Sequence, residues 1–165
     1  MNFNNFTIKS QEIIQKAQQL AQEYTHQDIQ NEHLFKAILT TDENVTPYLL
    51  KKLNVNIQLF EQLIDSQLKS FSKVTGGQIQ LSREASETLN NAAIIAKKMT
   101  DEFVSIEHLI IAIFKSKRII KEVVSALDAC LTQAKRKGGN AVVLYSLRQP
   151  SDVVEQKKKT SIYDL

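Results

Sequence analysis

The sequence predicts an all-α protein: two pseudo-repeated four-helix bundles packed as one globular domain, followed by an irregular C-terminal tail. Three observations predict it. The 165 residues include only 4 Gly and 2 Pro, so few punctuators interrupt long helical stretches. Apolar residues recur at helical spacing through most of residues 1–134. And residues 6–39, shifted by 75 positions, fall on residues 81–114 with nine of 34 pairs identical. The identities are Glu12/Glu87, Ala17/Ala92, Ala21/Ala96, Thr25/Thr100, Glu32/Glu107, His33/His108, Leu34/Leu109, Ala37/Ala112 and Ile38/Ile113. The matched positions are mostly apolar or small, the pattern of a shared core.

The first element of each half opens on a hydroxyl, Thr7 or Ser82, able to accept from the free N–H groups of a first turn. Ile13, Ile14, Ala17, Leu20, Ala21 and Tyr24 follow at helical spacing, as do Ala85, Leu89, Ala92, Ile95, Ala96 and Met99. After a short polar link, second helices begin near Asn31 and Ile106, with Ser105 as a cap for the latter. Third helices are expected at about 45–53 and 119–127, and a fourth at about 57–70. Residues 72–80, with Gly76-Gly77, read as the loop joining repeat 1 (6–70) to repeat 2 (81–134). No strand is expected before residue 134. Residues 135–165 form a basic tail with one short β-prone run, Ala141–Tyr145, and are expected to be flexible.

Composition excludes several classes. Neither Gly pair fits a phosphate loop or a dinucleotide turn, so nucleotide hydrolysis is not expected. A single cysteine, Cys130, rules out an internal disulfide and a multi-cysteine zinc site. His33 and His108 recur at one place in each half beside a glutamate, which points to packing or capping rather than to a base or ligand. No enzyme, cofactor or metal site is therefore expected. The net charge of +3 belongs to the tail: residues 135–165 carry seven bases against three acids. No basic stripe runs along a helix, which argues against nucleic acid as a partner. With no membrane-length apolar run and no secretory leader at the start, the expectation is a cytoplasmic protein without a membrane partner.

The two-copy pattern resembles the double Clp N-terminal domain that precedes the ATPase rings of Hsp100 chaperones, in its ClpB branch. The residues carrying the resemblance are Phe3-Asn4-Asn5-Phe6-Thr7-Ile8-Lys9-Ser10-Gln11-Glu12, Leu49-Leu50-Lys51-Lys52-Leu53, Gly76-Gly77, and Asp101-Glu102-Phe103-Val104-Ser105-Ile106-Glu107-His108-Leu109. It covers residues 1–118 well and thins toward 140; beyond that the tail is expected to depart from the family. The resemblance implies a non-catalytic module that docks unfolded or aggregated polypeptide for an Hsp100 ATPase ring. It also implies substrate-engaging roles for Thr7, Asp101 and Glu107. The related ClpC domain receives phosphorylated arginine on the glutamates of its paired Glu-His motifs, positions held here by Glu32 and Glu107. A docking surface for floppy chain also needs apolar side chains, at about 25 cal/mol per Å² covered. Leu89, Ile95 and Val104 are expected to contribute to such a groove, although residues at this spacing ordinarily form core.

Overall fold

The computed structural model describes residues 2–52 and 54–116. In chain order they form α1 (Ile8–Glu23), β1 (Asp28–Ile29), α2 (Asn31–Thr41), α3 (Val45–Lys52), α4 (Ile57–Ser70), β2 (Gln80–Leu81), α5 (Arg83–Lys98) and α6 (Ile106–Lys115). All four helices expected of the first half are present. In the second half α5 and α6 are described; the helix expected at 119–127, Cys130 and the tail lie outside the described residues.

Local chemistry sets the ends of the long helices. The Thr7 hydroxyl accepts from the Ser10 amide at 3.2 Å, and Ser82 accepts from Ala85 at 3.0 Å. Both helices stop the same way. Thr25 and Thr100 turn left-handed, at φ 57° and 61°. The next amides, of His26 and Asp101, donate back to Ala21 and Ala96 at 2.8 and 2.9 Å. The second helices, α2 and α6, share an unusual start. The third residue of each is a histidine whose Nδ1 accepts from the capping residue's amide: Gln30 to His33 at 2.8 Å, Ser105 to His108 at 2.9 Å. A side chain reaching back to the cap in this way satisfies a donor the helix cannot.

In each half the first helix lies along the second. Ile13, Ile14, Ala17 and Ala21 of α1 share a core with Leu34, Ala37 and Ile38 of α2, and Leu89, Ala92 and Ala96 of α5 join it with Leu109, Ala112 and Ile113 of α6. Phe35, Phe60 and Phe114 join the halves, with ring centroids 5.0 to 6.2 Å apart.

The expectation of no strand before residue 134 is corrected. β1 pairs in parallel with β2, Asp28 with Gln80 and Ile29 with Leu81, and an isolated bridge joins Phe6 to Val104. These pairings are reciprocal under the 75-residue shift: residues 6 and 81 correspond, as do 29 and 104. The start of each half is thus stitched to the bend of the other. Two-residue strands are too short to leave any alternation in sequence, and their partners are distant, so no local signal marks them.

Candidate functional site

The stitch between Phe6 and Val104 gathers the predicted polar residues. The Thr7 amide donates to the Val104 carbonyl at 3.0 Å, and the Val104 amide to Asn5 at 2.8 Å. The Ser10 hydroxyl accepts from the Thr7 hydroxyl at 2.9 Å and donates in turn to the Val104 carbonyl at 2.9 Å. The start of α1 is therefore fastened to the link between α5 and α6, which carries Asp101 and leads to Glu107.

That link frames a shallow cleft of about 550 Å³ lined by Met99, Asp101, Glu102, Phe103, Ser105, Glu107 and His108. Its floor is a hydrogen-bonded chain. Because His108 Nδ1 accepts from the Ser105 amide, the ring proton sits on Nε2 and is donated to Asp101 Oδ2 at 2.8 Å. The Ser105 hydroxyl donates to Glu107. His108 is buried, whereas the Asp101 side chain is 50% exposed. Met99 and Phe103 stand on the rim, 51% and 47% exposed, large apolar side chains beside three carboxylates. The cleft offers acceptors and greasy surface at one place. Among the described residues no cluster of three or more His, Cys, Asp or Glu could hold a metal ion. Among them too, no helix is long and apolar enough to cross a membrane.

Several expectations need correction. Leu89, Val104 and Ile95 are 0%, 1% and 9% exposed. Leu89 and Ile95 lie on the buried stripe of α5, which packs on α6, and Val104 is closed in by its bridge to Phe6, so as they stand they line no open groove. Glu32 is also buried, at 1% exposure, so it offers no surface to a ligand, and only Glu107 of the Glu32/Glu107 pair reaches an open face. Met99 and Phe103, which the cleft exposes, were not expected there. The available signal was adjacency: both flank Asp101 in a segment whose first-half counterpart, Tyr24–Asp28, has different chemistry.

The first half differs at the same place. His33 Nε2 lies 2.8 Å from Nδ1 of His26, the residue corresponding to Asp101. Burial, reinforced by His26, pushes the His33 pKa down to about 4. Burial and then the charge of Lys73 lower that of His26. Asp42, just after α2, is another buried group. Burial would raise its carboxyl, but hydrogen bonds from Thr46, Asn44 and Val45 outweigh this and hold it below its ordinary value while capping α3.

Comparison with known proteins fixes the class. The Clp repeat (R) N-terminal domain family matches residues 5–139, and the chain belongs to that family. Within it the chain is similar to chaperone protein ClpB of Bacteroides thetaiotaomicron, 38% identical over 165 residues, all of this chain and 18% of that protein. Similarity to the ClpB of Porphyromonas gingivalis is 36% over 117 residues, 71% of this chain and 14% of that one. The chain thus spans under a fifth of the curated relatives it matches. The expected departure after residue 140 is also overturned, since the Bacteroides alignment runs through the tail. The fold is shared with the Hsp104 N-terminal domain of Candida albicans, at TM-score 0.67 and 19% identity, covering 87% of this chain and 89% of that one. It is shared too with the N-terminal domain of ClpD from Arabidopsis thaliana, at TM-score 0.60 and 15% identity, covering 89% and 94%.

Proposed function

We propose that this domain is a non-catalytic docking module of a ClpB-type chaperone, holding unfolded or aggregated polypeptide in the Met99–His108 cleft for an Hsp100 ATPase ring to process. The observation that carries the reading is the cleft itself: exposed Met99 and Phe103 beside Asp101, Glu102 and Glu107. Covering on the order of a hundred Å² of apolar surface yields only a few kcal/mol before ordering costs, which suits weak, sequence-tolerant, reversible capture. The carboxylates favour segments bearing Lys or Arg. Thr7 contributes by anchoring the link that shapes the cleft, whereas Leu89, Ile95 and Val104 belong to the buried core and meet no client.

The test is binding of a permanently unfolded model protein to the domain. Replacing Phe103 by Ser with Asp101 and Glu107 by Asn and Gln is expected to weaken binding severalfold with helical content unchanged. Unchanged affinity in that variant would remove the cleft from the docking role.

A further inference from the structure

The first half contains the counterpart of the cleft, and a piece of the chain's own backbone lies in it. Tyr24, His26, Gln27, Asp28, Gln30, Glu32 and His33 correspond, at the 75-residue shift, to the seven residues lining the cleft. Over them runs the connector between the halves. The Phe71 ring stands 5.6 Å from the His26 ring and 6.2 Å from that of His33. The Val74 amide donates to the Thr25 carbonyl at 2.8 Å. Between them, Lys73 is close enough for its charge to bear on His26. Gly77 passes so near Gln27 that an added Cβ would meet its Nε2 at 3.4 Å. His26 is buried beneath Phe71, while its counterpart Asp101 remains exposed.

From this pairing we infer that the connector Phe71–Val74 is a built-in copy of the ligand, and that the Met99–His108 cleft takes an extended peptide with an aromatic residue followed two positions later by Lys or Arg. This inference rests on the docking reading above and specifies its client. The aromatic ring would lie against the His108–Asp101 pair between Met99 and Phe103, as Phe71 lies against His33 and His26. One peptide amide would donate to the Thr100 carbonyl, as Val74 donates to Thr25. The chemistry improves in the second half. Where Lys73 stands beside a histidine, the client's cation would meet Asp101, with Glu102 and Glu107 close by. The charge complementarity that the first half lacks would turn a permanent cover into an exchangeable guest.

The experiment titrates the full chain with a short blocked fluorescent peptide carrying Phe-Ser-Lys-Val, read by anisotropy and by amide shifts in NMR. Saturable binding is expected, with shifts confined to residues 99–108. Asp101→Asn should weaken it about fivefold, as should Glu in place of the peptide's Lys, the scale of one exposed ion pair. Equal binding of the reversed sequence or of the Glu peptide, with unfolded-protein binding intact, would overturn this inference alone. Shifts centred on Tyr24–His33 would overturn it by showing displacement of Phe71. Shifts at 99–108 on concentrating the protein without peptide would assign the face to a second copy instead. Failure of both the peptide and the unfolded protein would bring down the docking reading as well.

Discussion

His33 and His108 occupy the same station in the two halves, cap the same helix in the same way, and point Nε2 at the same neighbouring position. That neighbour is His26 in one half and Asp101 in the other. The difference accompanies a difference in exposure. Two neutral imidazoles sit comfortably under a phenylalanine, and the first half is closed by Phe71. A carboxylate needs water or a cation, and the second half stays open. The repeat thus presents two similar frames, one lying under Phe71 and the other open at Asp101.

The comparison can be tested first where the two halves are most alike. Leu89 is wholly buried on α5, as Ile14's neighbour Ile13 is on α1. Leu89→Ala should cost about 2–5 kcal/mol in chemical denaturation. Client affinity, measured where the variant remains folded, should be unchanged; a binding loss without destabilisation would return Leu89 to the groove.

Acid stability addresses the contrast directly. In the fold the His33 pKa is pushed down to about 4 and that of His26 is lowered as well, whereas in the unfolded chain both take up protons near pH 6.5. The unfolded chain therefore binds more protons, and stability falls as pH drops from about 6.5 toward 4, levelling once His33 is protonated in the fold. The loss is about 3 kcal/mol, from His33 alone. His26→Asp rebuilds the second half's pair in the first, and denaturation across that range should show the loss at least halved. An unaltered pH profile would mean that the histidine pair is not its source.

Smaller effects come from the caps. Thr7→Ala and Ser82→Ala should each cost about 1 kcal/mol, and by similar amounts, because both cap a first helix and both stitch to the opposite half. A large disparity would show that the two stitches are not equivalent. Phe103→Ser should change stability by less than about 0.5 kcal/mol, as befits an exposed rim residue, while weakening client binding.

Much of this fold was legible in the sequence. Thr7 and Ser82 announced the helix starts, the 3.6-residue periodicity drew α1, α2, α5 and α6, and the 75-residue shift gave the duplication. The two-residue strands were not legible, because they carry no period and their partners lie some 50 and 98 residues away. The site was read in part. Asp101 and Glu107 do line a cleft, but Leu89, Ile95 and Val104 were assigned to a groove although their spacing is that of an inward stripe. Burial of Glu32 was equally invisible, since Glu32 and Glu107 begin identical Glu-His-Leu triplets. What differs is the tertiary surroundings of each triplet, which three identical residues cannot report.

The reciprocal stitching has a thermodynamic corollary. Since Phe6 closes on Val104 and Leu81 on Ile29, neither half retains its bend without the other. The domain should then melt in one concerted step. A protease nick at the exposed Gly76-Gly77 pair should leave two fragments that travel together through a sizing column, parting only when both denature.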